Sequence, residues 1–278
     1  MLVPLAGGGQ ETLLSEVGFV LLPLFSTTDA CALRLVCREF LAAVTEHPWE
    51  DRDTVIQGRI AAWRACFPHA LCANVQEWDS SYYSNERATS VEDADFVHFE
   101  GLRELYMAGC TDVTDAAFVH LRGMHTLDMT FCTQRAITDA AFAHLAGIQR
   151  LSIRGCKQTT ITDAAFAHLR GIQLLNMGGC LQISDAAFIH LRGIHTLDMR
   201  HCWQPAISDA AFVHLRGIHT LVMENCYQAT ITGVTFACLQ GARRIAMWHC
   251  SAELVSAAEF FGLPKVVTIS PLTELHQT

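Results

Sequence analysis

Cysteine is the residue of this 278-residue chain whose spacing first suggests chemistry. Seven of the 12 cysteines recur 22 or 24 residues apart, at Cys110, Cys132, Cys156, Cys180, Cys202, Cys226 and Cys250. Thiolates bind zinc, but zinc sites usually take close pairs such as C-x-x-C, which this sequence lacks. Because free cysteine is among the most buried residue types, we expect these thiols to be small core residues and predict no bound metal.

Histidine forms a second periodic set, at His120, His144, His168, His190 and His214. Neighbouring imidazoles can bind a metal or respond to pH. Each histidine here ends a predicted short helix, where partial positive charge is stabilised, so we expect half-exposed side chains without metal. The sequence contains no G-x-S-x-G, P-loop, dinucleotide fingerprint or H-E-x-x-H motif. We therefore predict a protein that is not an enzyme and needs no cofactor.

The elements that position these residues are internal repeats. Glycine recurs at positions 101, 123, 147, 171, 193, 217 and 241, and the third unit reads GIQRLSIRGCKQTTITDAAFAHLR. The alternation Leu127-Asp128-Met129 predicts a short half-buried strand early in each unit. The second half predicts a short helix, with Thr138 as its N-cap and Asp139 in its first turn.

A strand–helix unit of this size cannot bury its apolar face alone, so neighbouring units must stack with their strands parallel. The pattern resembles the cysteine-containing leucine-rich repeats, whose signature position the seven cysteines occupy. The resemblance implies an α/β fold, a leucine-rich-repeat solenoid or horseshoe. We predict a divergent capping repeat over residues 71–100, the repeats over 101–261, and a C-terminal cap and tail over 262–278, with a last strand from Gly262 to Ser270.

Residues 1–70 lack the repeat and show helical spacing, which predicts a small all-α domain. We expect helices from Ser15 to Pro23, from Thr28 to about Val44 and from Asp51 to Phe67. This segment resembles the F-box. The motif positions that match are Leu13-Leu14-Ser15-Glu16-Val17, then Leu21 and Phe25, then Ser26 and Asp29, then Val36-Cys37-Arg38-Glu39-Phe40.

The F-box resemblance implies docking on the Skp-type adaptor of an SCF-type cullin-RING ubiquitin ligase, while the repeats select the protein to be ubiquitinated. Leu14, Gly18 and Ala30 depart from the family pattern. In the alternative interpretation these helices only cap the open end of the solenoid. The resemblance places the adaptor contacts at Leu13, Glu16, Val17, Leu21, Phe25, Val36, Cys37 and Phe40.

The repeats differ from one another mainly at outward strand positions and in the loop after each cysteine. Aromatic residues and arginines, which dominate interface energetics, are frequent there. We therefore predict a partner-binding strip, although drift of solvated positions among copied repeats is an alternative explanation. The strip comprises Tyr106, Asp128, Phe131, Arg150, Arg154, Asn176, Asp198, Arg200, His201, Trp203, Glu224, Tyr227 and Trp248.

The formal net charge of −9 and the scattered basic residues argue against nucleic acid as a partner, since no run of Lys and Arg reverses the charge locally. We expect no membrane span and, because cysteines are not organised as disulfides, a cytoplasmic or nuclear location. Near-identical copies indicate recent duplication, similar to F-box repeat families of protists and large DNA viruses of amoebae, which would place a viral protein in the host cytoplasm. The alternative function is a scaffold or decoy without a ligase.

Overall fold

The computed structural model describes residues 21–56, 58–76 and 90–264, and the chain divides into one unit up to Asn74 and a second from Val75. In the first unit a 3₁₀ turn and three α-helices precede a short strand, β1. These elements are the turn Leu22–Leu24, the helices Thr27–Leu33, Arg38–Glu46 and Ile60–Cys66, and β1 at Cys72–Asn74.

The helix predicted from Thr28 to Val44 is two helices. Ser26, rather than Thr28, is the N-cap: its side chain accepts from the Asp29 amide while the Asp29 carboxylate accepts from the Ser26 amide. The chain then leaves the helical conformation at Cys37, whose φ of −158° and ψ of 171° are extended, and a new helix begins at Arg38. The apolar spacing continues through this break, so periodicity alone could not reveal it.

The helix predicted from Asp51 to Phe67 is restricted to Ile60–Cys66. Asp51 instead holds a loop, because its carboxylate accepts from the Thr27 amide at 2.6 Å and from the Thr54 amide at 3.1 Å. The hydrogen bonds that would extend a helix through Asp51 are thus replaced by side-chain capping of the loop. Of the predicted helix from Ser15 to Pro23, residues 15–20 lie outside the described part.

The second unit is a stack of strand–turn–helix repeats whose strands form a parallel sheet in sequence order. Leu105, Leu127 and Leu151 are paired in register in the first three strands, and each later strand repeats that register. The strands are β2 Glu104–Tyr106, β3 Thr126–Asp128, β4 Arg150–Ser152, β5 Leu174–Asn176, β6 Thr196–Asp198, β7 Thr220–Val222 and β8 Arg244–Ala246.

The helical half of each repeat is short and mostly 3₁₀, which keeps the repeat to 22 or 24 residues. The 3₁₀ segments are Asp93–Phe99, Asp115–Leu121, Asp163–Leu169 and Phe236–Leu239. Two repeats have an α-turn followed by a 3₁₀ turn, at Asp139–Phe142 with Ala143–Leu145 and at Asp185–Phe188 with Ile189–Leu191. One repeat has only the α-turn Asp209–Phe212, and the α-helix Ala252–Phe260 ends the described array.

The predicted caps are present, and they have a second partner. The Thr138 hydroxyl accepts from the Ala140 amide at 3.2 Å, as an N-cap does. Its own amide and hydroxyl donate to the Asp115 carboxylate of the preceding repeat, at 2.7 and 2.6 Å. The same contact recurs from Asp93 to Asp209, so each first-turn carboxylate joins two repeats. We call this series the Asp–hydroxyl ladder.

The core of the array includes one leucine or isoleucine from each of the strands β2 to β8 and a phenylalanine from the helical half of each repeat up to Leu239. Every one of these phenylalanines is fully buried. They are Phe96, Phe118, Phe142, Phe166, Phe188, Phe212 and Phe236. Beyond the core, Gly262 adopts a positive φ of 65°, and the predicted strand from Gly262 to Ser270 lies largely outside the described residues. No helix in the described ranges has the length and apolar character to cross a membrane.

Candidate protein-binding surface

The predicted strip follows the outward side of the sheet and the loops after the strands. Parallel register aligns the last residue of each strand, so Tyr106, Asp128, Ser152, Asn176 and Asp198 lie side by side. Adjacent parallel strands are about 4.8 Å apart, so each outward side chain is in contact with its neighbours. The sheet therefore supplies a rigid floor for residues that lie beyond it.

Four strip residues are buried, in contrast to the prediction that they face outward into solvent. Tyr106 has an exposed fraction of 0%, and Asp128, Asn176 and Asp198 have 8%, 7% and 1%. The three polar side chains accept hydrogen bonds from backbone amides of the turn that follows each strand. The Asn176 amide oxygen, for example, accepts from the Gly178 amide at 3.1 Å. Such local side-chain bonds shape the loop and leave little surface for a partner.

Three aromatic rings remain accessible at the later repeats. Trp203, Tyr227 and Trp248 have exposed fractions of 41%, 56% and 38%. Trp203 and Tyr227 each follow the cysteine of their repeat, and their rings are stacked, with centroids 5.9 Å apart and an interplanar angle of 14°. We call these three residues the aromatic patch. Large exposed rings on a fixed scaffold offer contact area at a low entropy cost.

A charged group lies beside the aromatic patch. The Arg200 guanidinium donates through Nε to both Asp198 carboxylate oxygens, at 3.0 and 2.9 Å, and its Nη1 is 3.6 Å from Glu224 Oε2. The side chains of Arg200 and Glu224 have exposed fractions of 11% and 22%. Arg200 is thus held in one orientation by two carboxylates, which makes it a pre-oriented donor at the edge of the patch.

An aromatic–arginine contact occurs two repeats earlier. The Arg154 guanidinium carbon is 5.8 Å from the centroid of the Phe131 ring, within cation–π distance. The same ring covers Gly155, where an added Cβ would be 2.4 Å from Phe131 Cδ1. Arg150, by contrast, is the first residue of β4 and lies at the opposite end of the strand from these groups. The structure therefore places Phe131 with Arg154, Arg200 with Glu224, and Trp203 with Tyr227, while Arg150 lies apart from them.

The residue before each signature cysteine has a left-handed backbone. Glycine occupies this position in three repeats, whereas Phe131, His201, Asn225 and His249 adopt φ values between 53° and 58°. Left-handed conformation costs a non-glycine residue roughly 1–2 kcal/mol. Three of the four follow one another in the repeats that carry the aromatic patch. Strain retained where glycine would relieve it is typical of positions selected for function.

The predicted adaptor residues that can be described are accessible. Leu21, Phe25 and Val36 have exposed fractions of 40%, 38% and 66%, while Cys37 and Phe40 are half-buried. Leu13, Glu16 and Val17 lie outside the described residues. The helical region from Leu21 to Leu41 also exposes three leucines that the motif did not identify, Leu24, Leu35 and Leu41. Their sequence signal is weak, because an exposed leucine on a helix has the same spacing as a buried one.

The cysteine series is part of the core, as predicted, and it is also polar. Each thiol donates to a backbone carbonyl of the preceding repeat, as Cys180 Sγ does to Ile153 O at 3.0 Å. Burial raises the pKa of the Cys202 thiol to about 12 and that of Cys250 to about 11. The thiols therefore remain protonated donors at neutral pH. Within the described ranges, no group of three or more His, Cys, Asp or Glu side chains has a metal-binding arrangement.

A glutamine series two residues after the cysteines was not recognised from the sequence. Gln158 Nε2 donates to Cys132 O at 3.1 Å, and Gln204 Nε2 donates to Cys180 O at 3.0 Å. The pattern C-x-Q in five successive repeats was the available signal. These amides fix the loops that carry Trp203 and Tyr227 to the preceding repeat. They make the aromatic patch part of the rigid array.

The comparisons with known proteins show the fold. No protein-family model matches the chain, and no curated protein matches it. Among solved structures, 112 chains are similar. TLR13 in its complex with ssRNA13 has a TM-score of 0.52 at 16% identity; the match covers 69% of this chain and 26% of that one.

Two further structures show the same similarity. Internalin C2 from Listeria monocytogenes has a TM-score of 0.50 at 16% identity, over 78% of this chain and 91% of the other. Toll in the Drosophila Toll–Spatzle complex has a TM-score of 0.51 at 13% identity, over 76% and 31%. All three are leucine-rich-repeat proteins. The second unit of this chain is thus a leucine-rich-repeat solenoid, while the F-box-like nature of the first unit stays a prediction.

Proposed function

We propose that the chain is the substrate-recognition subunit of an SCF-type cullin-RING ubiquitin ligase, acting in the cytoplasm or nucleus. The first unit docks a Skp-type adaptor, and the repeats bind the target protein. The observation that carries the proposal is the aromatic patch: two stacked exposed rings and a third in the following repeat, on repeats whose core positions scarcely vary. A binding module of this kind has no catalytic residues of its own.

The target-binding half of the proposal rests on residue type and on strain. Tryptophan, tyrosine and arginine account for most interface hot spots, and each such residue is worth about 2 kcal/mol or more when a partner buries it. Trp203, Tyr227 and Arg200 satisfy this description next to strained His201. Drift among copied repeats explains variation, but it does not explain why costly backbone conformations accompany the exposed rings.

The adaptor-docking half rests on exposed apolar side chains in the first unit. Soluble monomers seldom leave many large apolar residues accessible without a partner to cover them. The helical region from Leu21 to Leu41 leaves six such residues exposed, and three of them occupy F-box motif positions. The six are Leu21, Leu24, Phe25, Leu35, Val36 and Leu41.

Co-purification of the adaptor tests the docking half. We expect the intact chain to recover a Skp-type adaptor and a cullin from eukaryotic lysate, and Val36→Asp to lose both, because a buried carboxylate has no partner at an apolar interface. Val55→Asp is the matched control, since Val55 is exposed in the same unit and is not a motif residue. Recovery that is equal for the two variants, or absent for the intact chain, contradicts the docking proposal.

A second experiment tests the target-binding half. Proteins labelled by proximity to the intact chain are compared with those labelled by Trp203→Ala and by Lys157→Ala, which alters an exposed residue at the same repeat position. We expect Trp203→Ala to lose a defined protein that Lys157→Ala retains. Identical labelling by both variants contradicts a role for the aromatic patch.

A scaffold or decoy without a ligase is the second candidate. Ala30 favours it: this residue is fully buried where the F-box pattern usually has leucine, so the helix Thr27–Leu33 buries less apolar surface than the family pattern provides. Turnover of the bound target separates the two functions. Proteasome-dependent loss of the target supports the ligase, and a stable target level supports the scaffold.

A further inference from the structure

Arginines that are far apart in the sequence come together at the turns that lead from each helical segment back to the next strand. These turns are residues 99–104, 121–126, 145–150, 169–174, 191–196, 215–220 and 239–244, which we call the basic edge. The basic edge contains two carboxylates, Glu100 and Glu104, and both are at its first turn. It contains eight arginines: Arg103, Arg122, Arg150, Arg170, Arg192, Arg216, Arg243 and Arg244.

Backbone hydrogen bonds show that these turns are adjacent. The His125 amide donates to Arg103 O at 2.8 Å, the Gln149 amide donates to His125 O at 3.0 Å, and the same bond recurs through every repeat to Arg243. Side chains agree with this alignment: the rings of His195 and His219 are stacked, with centroids 4.3 Å apart. The basic edge is therefore one continuous surface of the second unit.

The opposite turns, from strand to helix, have a different charge. They contain seven carboxylates and four Arg or Lys residues. The residues counted are 107–115, 129–139, 153–163, 177–185, 199–209 and 223–233, so the first residue of each short helix from Asp115 to Asp209 is included. Most of these carboxylates are occupied in the Asp–hydroxyl ladder, as Asp163 is by the amide and hydroxyl of Ser184. The net charge of −9 thus conceals a separation of charge across the array. A sequence search for basic runs missed it, because the arginines are singly spaced at repeat intervals.

The arginines of the basic edge keep their charge available. Six are exposed, and none of these six makes an ion pair with a carboxylate in the described part of the chain. Arg122 and Arg192 donate instead to imidazole nitrogens, Arg192 Nε to His214 Nδ1 at 3.3 Å. The six are Arg103, Arg122, Arg170, Arg192, Arg216 and Arg243.

We propose that the basic edge binds an extended, Asp- and Glu-rich segment of a protein partner, at a surface separate from the aromatic patch. Arginine matches carboxylate geometry bidentately, and the row of guanidinium groups repeats along the array. Six steps of about 4.8 Å give an edge of about 29 Å, the length of roughly nine extended residues. A short acidic segment can occupy this edge without approaching the carboxylates opposite.

Nucleic acid and membrane surfaces fit the basic edge less well. Single strands bind by stacking bases on aromatic rings. Phe99 is the one Phe, Tyr or Trp residue of these turns and is fully buried, while the His195 and His219 rings are stacked on each other. A long duplex would extend beyond the edge and meet the repulsion of a chain with net charge −9. Membrane-surface binding usually adds exposed tryptophan, phenylalanine or leucine to the basic residues, and the leucines of these turns are buried or nearly so.

Fluorescence anisotropy with a labelled poly-glutamate peptide of about ten residues tests the proposal. The variant Arg170→Gln/Arg216→Gln removes two exposed cations from the basic edge. The control Arg135→Gln/Lys157→Gln removes two exposed cations from the opposite turns, so both variants have the same net charge. We expect the first to weaken binding about five-fold, the value for two exposed ion pairs, and the control to leave it unchanged.

The remaining outcomes decide against the proposal. It is overturned if the intact chain does not bind the peptide, if the control weakens binding as much as the basic-edge variant, or if an oligouridylate or phosphatidylserine vesicles bind more tightly than the peptide. Thermal melting of each variant verifies the fold. If Arg170→Gln/Arg216→Gln melts early, Arg103→Gln/Arg243→Gln at the two ends of the edge replaces it, with the same expected loss.

Discussion

Removing one carboxylate from the Asp–hydroxyl ladder should lower the free energy of unfolding by an amount that depends on how buried its hydrogen-bond donors are. Asp163→Ala removes the acceptor of the Ser184 amide at 2.8 Å and of its hydroxyl at 2.5 Å, in a half-buried position. Asp139→Ala removes the equivalent contacts with Thr162, at 2.7 Å each; Asp139 is half-buried like Asp163, but its partner Thr162 is exposed whereas Ser184 is half-buried. Both residues begin a helical segment, so the loss of a favourable charge at the helix N-terminus is common to both.

The difference between the two variants measures how burial of the donors changes the cost of losing the inter-repeat contact. Asp163→Ala should lower the free energy of unfolding by about 2–3 kcal/mol, because two hydrogen bonds to a half-buried carboxylate are lost and the Ser184 donors have no full access to water. Water replaces the carboxylate at Thr162, so Asp139→Ala should cost about 1 kcal/mol. Urea denaturation followed by tryptophan fluorescence measures both midpoints. Equal midpoints, or a larger loss for Asp139→Ala, would refute the dependence on burial, and midpoints of both variants equal to that of the intact chain would refute the ladder as an inter-repeat contact that stabilises the fold.

Three further predictions concern the loops and the buried thiols. His201→Gly should raise the free energy of unfolding by about 1 kcal/mol by relieving the left-handed backbone, while weakening target capture; an unchanged melting temperature argues against strain. Gly155→Ala should destabilise by about 1 kcal/mol more than Gly179→Ala, because only the first meets the Phe131 ring, and Phe131→Ala should remove that excess in a double-mutant cycle. Cys202, whose pKa is raised to about 12 by burial, should resist iodoacetamide at pH 8 until the chain unfolds, as mass spectrometry would show; labelling of the folded chain would contradict its burial.

The repeat architecture was predictable because the residue pattern within each unit is enough to predict that unit's strand and short helix. Thr138 is the predicted cap, Phe142 is the predicted core residue, and six of the seven repeat cysteines are buried while Cys250 is half-buried, all in line with local spacing. The second role of Asp115, as acceptor for the next repeat, depends on how adjacent units align in space. The spacing of residues along the sequence predicts the elements within one repeat, but it does not show which residues of adjacent repeats come into contact.

The candidate site was predictable in residue type more than in exposure. Trp203 and Tyr227, in the loops after the cysteines, and Trp248 are accessible, whereas Tyr106 and Asp198, at outward strand positions, are buried by neighbours or by a local turn. Alternation distinguishes the two faces of a sheet, but it does not show how closely packed one face is. The basic edge was missed for a related reason, since its arginines become neighbours only after stacking.

Quantitative mass spectrometry of proteins co-purified with the intact chain, with Val36→Asp and with Trp203→Ala tests adaptor docking and target recognition together. We expect Val36→Asp to lose the Skp-type adaptor and cullin but keep the target protein, and Trp203→Ala to lose the target and keep the adaptor. Loss of neither set by either variant, or loss of both sets by one variant that still melts like the intact chain, would contradict separate docking and recognition surfaces.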